Sequence, residues 1–374
     1  MKIEKIEVFT LDLPLAKSYD RPVSGLGGFI RVDTANQVVI KISSNGITGY
    51  GLTAPVPHYH GQTQMMMVHA IKYLLPFIEE KNPFDLELIH NTMDAALRGS
   101  EPAKCAIDLA LHDLLGKILN RPVYSLLGGA QRQQFATTFT LALGRNGKIL
   151  SPSEMAQEAQ DYYEQGYRAF EVHIGTPGKN YRQDIERIAA IRSQVGAKVE
   201  IVSDLHRHWT VKEAISAIRE LESHNVYVEQ PVEGLEGMSK VCRQVSATII
   251  ADESCHTVED GAAVIHHNAA DAFCIKPIKA GGLYKAKKLA TLAESFGILT
   301  RVDGVPGEGK LSNTASAHLV LTLKHPIVCG VMQHTRLERD LVTQGGLEFT
   351  EGHVTLPDKP GLGVSVDESL LKPA

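Results

Sequence analysis

The chain has 374 residues, of which 43% are hydrophobic and 22% charged, and its formal net charge is -5. This length exceeds one ordinary domain and suits an α/β barrel with a smaller domain attached. No basic excess points to a nucleic-acid partner. The first residues mix charged and apolar side chains, and no apolar run approaches a membrane span. We therefore expect a cytoplasmic protein with neither a nucleic-acid nor a membrane partner.

The first third of the chain combines strand and helix patterns. Near the start, IEKIEVFTL and NQVVIKISSN are β-rich, and the Gly-rich stretch SGLGGF joins them. From about residue 65 to about 120, apolar residues recur at helical spacing, which predicts helices. Pro122 and the pair Gly128 and Gly129 then interrupt the pattern. We predict an N-terminal α+β domain over residues 1–130.

Short apolar strands alternate with amphipathic helices from about residue 135 to about 335. Examples are FATTFTLAL before SEMAQEAQDYYEQG, and VEIVSDL before TVKEAISAIRELESHN. Repeated βα units predict a parallel sheet, and about eight of them predict a closed (β/α)8 barrel, here over residues 131–350. Residues 351–374 contain several Gly and Pro residues, and we expect this segment to return and pack on the first domain.

Charged residues stand at the predicted C-terminal ends of successive strands, where barrel side chains converge on one mouth. VSDLHRH ends its strand in Asp204, VYVEQP in Glu229, IIADES in Asp252 and FCIKP in Lys276. These ends are 25, 23 and 24 residues apart, so each step matches one βα unit. Carboxylates brought together raise one another's pKa unless a cation lies between them. An all-carboxylate set favours a hard cation, and we predict Mg²⁺.

The order Asp, Glu, Asp on successive strands, followed by Lys in IKPIKAGG, resembles the enolase superfamily, in particular its mandelate racemase and muconate lactonizing enzyme branch. Further matches are ADES, AIDLALHDLLGK, PVYSLLGGAQR and GEGKLSNTASAHL, so the resemblance covers nearly the whole chain. It implies a capping domain over a modified barrel, abstraction of the proton α to a carboxylate, and a homo-oligomer. The residue roles it implies are Mg²⁺ ligation by Asp204, Glu229 and Asp252, acid/base catalysis by Lys276, and a site position at the seventh strand for Glu308.

The fate of the resulting enolate decides the reaction. Reprotonation from the opposite face gives racemisation or epimerisation, whereas loss of a β-substituent gives dehydration or ring opening. We expect an isomerase of a small carboxylate, either a racemase or epimerase or a cycloisomerase. A dehydratase of a hydroxy or sugar acid is the first alternative. A non-catalytic relative that binds a metal and a carboxylate is the second.

The second predicted barrel strand, in GYRAFEVHIG, departs from the pattern of that branch. Relatives normally end this strand in Lys-x-Lys, whereas Glu171 and His173 share one face here. A lysine needs a cationic neighbour to lower its pKa, but a histidine already titrates near 6.5. We predict that His173 is an acid/base catalyst with Glu171 as its partner, and that Glu171 moves the histidine pKa toward or above 7. Lys276 then works from the other face; the alternative is that Lys276 acts alone.

His206 stands where relatives usually have the asparagine of Asp-x-Asn. We expect it to donate either a proton to a departing hydroxyl or a hydrogen bond beside the metal, and we expect His208 in a surface or loop contact. Substrate recognition is expected from the capping-domain loops AKSYDRPVSGLGGF and APVPHYHGQT, where Arg21 is placed to meet a second carboxylate. These loops offer Tyr19, Arg21, His58, Tyr59 and His60 for substrate contact, and Glu253 and Glu308 are further candidates for contact or support.

Two patterns are compatible with other classes of protein, and the cysteines are compatible with neither a disulfide framework nor a zinc site. GVPGEGKL, residues 304–311, has the GxxxxGK of a phosphate-binding loop, but Leu311 stands where a Ser or Thr should hold Mg²⁺. The HYH and HRH pairs are compatible with a zinc hydrolase, yet HYH precedes the barrel and three carboxylates favour a harder ion. Five scattered cysteines without a CxxC pair predict reduced thiols. We therefore expect neither nucleotide nor zinc as cofactor.

Overall fold

The structure, a computed structural model, describes residues 1–23, 28–145, 148–175 and 181–374. Its first domain begins with a long antiparallel hairpin of β1 (Lys5–Val23) and β2 (Gly28–Ser44), and β3 (Ile47–Thr53) pairs with β2. Of the Gly-rich stretch that the sequence indicated as a connection, Gly28 and Phe29 belong to β2, and residues 24–27 lie outside the described residues. The helices that follow are α1 (Pro57–His60), α2 (Gln64–Ile78), α3 (Leu86–Ala96), α4 (Glu101–Ile118) and α5 (Val123–Leu126).

Helix α4 packs unusually close to β3. A Cβ atom added to Gly51 would lie 1.9 Å from the carbonyl oxygen of Ala106, and one added to Gly49 would lie 2.2 Å from that of Ala110. Only glycine therefore permits this approach. The helices predicted between about residues 65 and 120 are confirmed, and their apolar faces form a core with β1 and β2.

The second domain is built on a parallel sheet of seven strands, in the spatial order β13-β12-β11-β10-β9-β8-β5. Residues 326–331 occupy the eighth position, because Gly330 bridges to Asp303 beyond β13 while Cys329 bridges to Thr137 before β5. The predicted α/β barrel with a capping domain is confirmed. The strands after β3 are β4 (Gln134–Ala136), β5 (Phe139–Leu141), β6 (Gly144–Arg145), β7 (Lys148–Ile149), β8 (Ala169–His173), β9 (Glu200–Asp204), β10 (Tyr227–Glu229), β11 (Ile249–Ala251), β12 (Ala272–Ile275), β13 (Leu299–Val302), β14 (Val342–Gly345), β15 (Glu348–Thr350), β16 (His353–Thr355), β17 (Val364–Val366) and β18 (Lys372–Pro373).

Helices cover the outside of this barrel. Capping boxes begin three of them, at Ser151, Thr210 and Thr257, where each hydroxyl accepts a hydrogen bond from the backbone of the residue three positions on. None of the described helices combines the length and the apolar character needed to cross a membrane. The helices after α5 are α6 (Pro152–Glu164), α7 (Arg182–Val195), α8 (Val211–Leu221), α9 (Leu235–Cys242), α10 (Val258–His267), α11 (Pro277–Ala280), α12 (Leu283–Ser295) and α13 (Lys310–Leu321).

Strand alternation divides the barrel residues between its interior and its helices. On β8, Phe170 and Val172 join the large core beneath the helices, whereas Ala169 joins a small apolar cluster with Val202 and Ile250. Glu171 and His173 follow Ala169 on the interior face. At the far end of the chain, β18 pairs with β1, which brings the last residues onto the capping sheet. The limits 1–130, 131–350 and 351–374 remain our proposal for the domains.

Candidate active site

A cavity lies at the C-terminal ends of the barrel strands, beneath the capping domain. Charged side chains of the barrel meet Tyr59 of the capping domain in it, together with Thr140 and a wall of apolar residues. The residues that line it are Val56, Tyr59, Thr140, Ala142, Leu143, Glu171, His173, Ile174, Asp204, His206, His208, Lys276, Asp303, Gly304, Val305, Pro306, Gln333 and Arg336.

Five adjacent strand ends carry the predicted groups in a fixed order around the mouth. Strand order places His173 at the end of β8, Asp204 at the end of β9 and Glu229 at the end of β10. Asp252 follows β11 directly, and Lys276 follows β12 directly. The three carboxylates therefore lie between the histidine and the lysine along the sheet. This arrangement follows from one βα unit per strand, as the sequence spacing indicated.

The carboxylate of Glu171 is hydrogen-bonded to His173 in the barrel interior. Nε2 of His173 lies 3.0 Å from Oε1 of Glu171, and the other oxygen of Glu171 accepts a hydrogen bond from the Arg301 guanidinium. Burial opposes ionisation of Glu171, but Arg301 and His173 outweigh it and hold its pKa well below the usual range. Glu171 is therefore an anionic acceptor, and the histidine places its proton on Nε2 to meet it.

The expected pKa of His173, toward or above 7, is wrong for this structure. Burial is the largest effect and disfavours the charged imidazolium, and although the hydrogen bond to Glu171 opposes it, the pKa of His173 falls to about 4. His206, whose ring centroid lies 4.8 Å from that of His173, lowers it further. A neighbouring carboxylate raises the pKa of a histidine, but in this site the loss of water on burial has the larger effect. His173 is therefore a neutral imidazole at pH 7.

The predicted metal ligands Asp204 and Glu229 are buried without enough compensating charge. Neither carboxylate oxygen of Glu229 has a hydrogen-bond partner among the described residues, although Oε2 lies 3.3 Å from Nε of Arg301. Burial and nearby carboxylates raise the pKa of both residues well above the usual value. Buried, unsatisfied carboxylate oxygens are the groups that a hard divalent cation would satisfy. These residues therefore fit a magnesium site.

Asp252, the third predicted ligand, already has positively charged partners. Nζ of Lys276 donates to its Oδ2 at 2.8 Å, and Nζ of Lys279 donates to its Oδ1 at 2.6 Å. The hydroxyl of Tyr59, from the capping domain, also donates to Oδ1, at 2.7 Å. Asp252 groups within 4.8 Å with Glu229 and with the thiol of Cys274, whereas Asp204 groups with the two histidines His173 and His206. The three predicted ligands thus belong to two groups of ligand atoms, one that contains Glu229 and Asp252 and one that contains Asp204.

Three buried charged residues of the site, Lys279, Arg301 and Asp303, were not predicted from the sequence. Arg301 is fully buried, and its Nη2 lies 3.0 Å from Oδ2 of Asp303, while burial raises the pKa of that carboxyl to about 6. A signal was present in ILTRVDG, since an arginine and an aspartate alternate onto one face of a strand that must be buried. The spacing of Lys279, three residues after Lys276 in IKPIK, was a weaker signal.

His206 lies beside Asp204 and not further along an extended strand. Its Nδ1 is 3.2 Å from Oδ2 of Asp204 and 3.7 Å from Oε1 of Glu253. Positive φ angles of 45° at His206 and 67° at Arg207 turn the chain there, so the strand alternation assumed from the sequence ends at Asp204. His208 lies in the loop that follows this turn, as expected, and it also lines the cavity.

Glu308 faces its own loop. Its Oε2 accepts a hydrogen bond from the backbone of Val305 at 2.9 Å, and burial raises its pKa to about 7. The next helix, α13, begins at Lys310, whose backbone N–H donates to Oδ2 of Asp340 at 2.7 Å. A carboxylate therefore occupies the place where a phosphate-binding loop would hold phosphate, which speaks against the nucleotide alternative.

The substrate candidates from the capping-domain loops are only partly placed. The backbones of Tyr19 and Arg21 belong to β1, while their side chains and those of His58 and His60 lie outside the described residues. The side chain of Tyr59 is described, and it reaches the barrel site. Its ring lies beneath Nζ of Lys276, 5.0 Å from the ring centroid.

Comparison with known proteins agrees with this geometry. Residues 18–128 match the family described as mandelate racemase / muconate lactonizing enzyme, N-terminal domain, and residues 154–370 match the family described as enolase C-terminal domain-like. N-succinyl-L-Arg/Lys racemase of Bacillus cereus is 31% identical, covering 100% of this chain and 97% of that protein. Cis-3-hydroxy-L-proline dehydratase of Roseibium aggregatum is also 31% identical, covering 98% of this chain and 96% of that protein.

One solved structure extends the comparison to bound ligands. The dipeptide epimerase of Enterococcus faecalis, in complex with Mg and the dipeptide L-Leu-L-Tyr, aligns with a TM-score of 0.89 and 32% identity, over 98% of this chain and 100% of that one. Relatives of the chain thus include racemases and epimerases, and they also include a dehydratase. The chain belongs to the mandelate racemase and muconate lactonizing enzyme branch of the enolase superfamily.

Proposed function

We propose that the chain racemises or epimerises a carbon α to a carboxylate, with His173 and Lys276 as the two acid/base catalysts. The observation that carries this proposal is the order of groups around the mouth, in which the histidine and the lysine flank three carboxylates and line one cavity. A substrate whose carboxylate lies at the centre then presents its α-carbon between two proton carriers. One carrier removes the proton, and the other delivers one to the opposite face.

Asp204, Glu229 and Asp252 would hold Mg²⁺ in this reaction. When bound, the ion would supply positive charge that stabilises the substrate carboxylate as negative charge develops on it. The buried, unsatisfied oxygens of Glu229 support this assignment. Lys279 and Tyr59 would orient Asp252 through their hydrogen bonds to its Oδ1.

His173 and Lys276 have different supports for their proposed roles. Glu171 accepts from Nε2 of His173, which leaves Nδ1 with the lone pair that takes the α-proton. Lys276 approaches from the strand two positions beyond Glu229, and its ammonium is held by Asp252. In one direction His173 acts as base and Lys276 as acid, and in the reverse direction the roles exchange.

We propose N-acyl amino acids and dipeptides as the substrate class. Relatives with these substrates in their names span nearly the whole chain. The polar side chains of Gln333 and Arg336 on the cavity wall support this proposal, because they suit a substrate with a second polar group. Both lie near Thr140, whose carbonyl oxygen accepts a hydrogen bond from the Arg336 guanidinium at 2.6 Å. A homo-oligomer in the cytoplasm, with no nucleic-acid or membrane partner, remains our prediction.

Proton NMR in D₂O tests the proposal directly. The protein, with Mg²⁺, is incubated with L-Ala-L-Glu, L-Leu-L-Tyr and N-succinyl-L-lysine. Loss of an α-proton signal together with the appearance of the epimeric dipeptide, or loss of optical rotation for the succinyl compound, supports the proposal. Retention of every α-proton across the panel would count against this substrate class. Retention across a wider panel that also contains hydroxy and sugar acids would count against the chemistry itself.

Dehydration is the second candidate, and the position of His206 favours it. Its imidazole lies in the cavity beside Asp204, near enough to His173 for a bound substrate to meet both rings. A second imidazole is a suitable proton donor to a departing β-hydroxyl. The same NMR experiment with cis-3-hydroxy-L-proline and with aldonic acids separates the two reactions, since dehydration produces a keto or enamine product and epimerisation does not.

A further inference from the structure

Arg301 is buried in the barrel interior, between Glu171, the partner of the proposed base, and Glu229, a proposed metal ligand. It is fully buried and lies on β13, the seventh strand of the spatial series that begins at β5. Its guanidinium contacts Glu171, lies 3.3 Å from Oε2 of Glu229 through Nε, and lies 3.0 Å from Oδ2 of Asp303 through Nη2. Nη1 donates to the carbonyl oxygen of Val328 at 3.2 Å, which ties the group to the segment that closes the barrel.

We propose that Arg301 is a positioning residue of the acid/base catalyst, which fixes Glu171 and thereby the proton-bearing nitrogen of His173. This inference rests on the proposed function, because it concerns the residue assigned there as base. Glu171 uses its two oxygens separately, one for Arg301 and one for Nε2 of His173. An acceptor held in this way keeps the histidine proton on Nε2 and leaves Nδ1 as the atom that exchanges a proton with substrate.

The planar fork of arginine suits this position better than a lysine would. One guanidinium reaches three carboxylates in different directions while its plane remains fixed by Val328. A lysine ammonium is a point charge on a flexible stem and fixes no plane. Room for the arrangement comes from Gly330, where an added Cβ would lie 2.2 Å from Oδ1 of Asp303.

Proton exchange measured separately on the two faces of the substrate distinguishes a positioning role of Arg301 from a general structural role. For a dipeptide pair that differs only at the epimerised carbon, one isomer presents its α-proton to His173 and the other presents it to Lys276. Exchange of each α-proton for deuterium therefore reports on one base at a time. A His173→Gln variant identifies the isomer that depends on the histidine, and a Lys276→Met variant identifies the other.

The test compares these exchange rates in the Mg²⁺-loaded wild type and in Arg301→Lys. We expect exchange on the His173 side to fall by about 10- to 100-fold, the usual effect of losing a residue that orients a catalytic group. Exchange on the Lys276 side should stay near the wild-type rate. Arg187→Lys is the matched control, because Arg187 is also buried and paired, with Asp184 at 2.9 Å, but lies on α7 outside the cavity. It should change neither side selectively.

A second variant keeps the test valid if Arg301→Lys folds poorly. Arg301→Met combined with Glu171→Gln removes both partners of the contact, which avoids leaving either charge unpaired by the other. If Arg301 acts through Glu171, this double variant should lose the same exchange as Glu171→Gln alone, with no further loss from the arginine. An equal loss on both faces in Arg301→Lys, or fully additive losses in the double variant, would overturn the inference.

Failure of the proposed function is recognised separately. If the wild type exchanges no α-proton in any compound, the chemistry is wrong, and the positioning role is then tested without substrate. Nitrogen-15 NMR of histidine-labelled protein, with the His173 signals identified by their loss in His173→Gln, reports which ring nitrogen carries the proton. We expect Nε2–H in the wild type and a mixture in the double variant; an unchanged tautomer would overturn the role of Arg301.

Discussion

Nε2 of His173 lies 3.0 Å from Oε1 of Glu171 and 3.9 Å from Oδ2 of Asp204, so the same imidazole edge faces its orienting carboxylate and a proposed metal ligand. The two ring nitrogens are therefore not equivalent, and the one that faces away from Glu171 is left for substrate. Lys276 lies on the other side of the three carboxylates. These positions predict that loss of His173 and loss of Lys276 impair proton exchange from different isomers of the substrate.

Replacing His173 by Gln should abolish epimerisation while sparing half of the exchange reaction. Loss of a general acid/base typically costs about 10²- to 10⁴-fold in rate. The isomer whose α-proton faces Lys276 should still exchange that proton in D₂O, and it should do so without inversion. Time-resolved proton NMR of both isomers measures this.

The complementary variant Lys276→Met provides the control for that experiment. It should spare the isomer that His173→Gln impairs and impair the isomer that His173→Gln spares. If both variants abolish exchange from both isomers, a two-base arrangement is excluded for the substrate tested.

Replacing Glu229 by Gln should stabilise the metal-free protein and weaken its response to Mg²⁺. Burial is the largest of the effects that raise the pKa of Glu229. A carboxyl whose pKa is raised on folding loses stability as the pH rises above the unfolded value of about 4.3. The variant should therefore have the higher free energy of unfolding at pH 7.5, and the difference should shrink toward pH 5.

Urea unfolding with EDTA and with Mg²⁺ measures both parts of this prediction. Mg²⁺ at 100 times its Kd should add about 2.7 kcal/mol to the wild type, because it binds only the folded state. Glu229→Gln should gain much less at the same concentration. A metal-free variant less stable than the metal-free wild type at pH 7.5 would contradict the burial argument.

The Tyr59→Phe variant tests the contribution of the capping domain to the site. In the wild type, the hydroxyl of Tyr59 donates to Oδ1 of Asp252, and hydrogen bonds to charged groups contribute about 1.5–3 kcal/mol. We expect kcat/KM to fall by about tenfold or more, since 1.4 kcal/mol corresponds to a factor of ten. Tyr73→Phe is the matched control, because Tyr73 lies exposed on α2. Equal activities in the two variants would exclude a role for the Tyr59 hydroxyl.

Asp108 links the two domains and should be among the most sensitive positions for stability. It is fully buried, accepts a hydrogen bond from the backbone of Leu283 at 2.5 Å, and lies 2.8 Å from Nε2 of His90 and 3.2 Å from Nδ1 of His112. Removing one partner of a buried ion pair costs about 3–5 kcal/mol. Asp108→Ala should lose stability by that amount in urea unfolding.

The ion pair of Asp108 and His112 predicts how the free energy of unfolding depends on pH. Burial opposes both charges, but His112 holds the pKa of Asp108 below its usual value, and Asp108 holds the pKa of His112 above its own. The Asp108 contribution is present above about pH 3.9 and is lost as the pH falls through its folded pKa. The His112 contribution is complete below about pH 6.5 and is lost as the pH rises through its folded pKa.

The pair should therefore contribute most between about pH 4 and pH 6.5. Free energies of unfolding at pH 5.5 and pH 8.5 check this, with His112→Gln expected to lose more stability at pH 5.5 than at pH 8.5. His69→Gln is the control, because His69 is exposed on α2. A loss that is the same at both pH values would contradict the linkage.

The positions of Asp204, Glu229, Asp252 and Lys276 were predictable because the repeat of one βα unit is local and regular. The closeness of Glu171 and His173 was predictable from strand alternation alone. Arg301 was not identified, because its partners come from β8 and β10, and only closure of the barrel brings them across the interior. The pKa of His173 was missed for a related reason, since its burial depends on the whole assembled mouth. Positive φ angles at His206 also leave no clear signature in HRH.

The contacts of Arg301 also bear on how the reaction of such a barrel can be altered. Each proposed catalytic group stands on its own strand end, so an exchange of single strands between relatives would transfer one group at a time. Arg301 links β8, β10 and β13, and this makes the second barrel strand dependent on the seventh. A chimera that receives a lysine in place of Glu171 without a change at Arg301 would bury two cations side by side. Recombination in this chain should therefore succeed only when both strands are exchanged together.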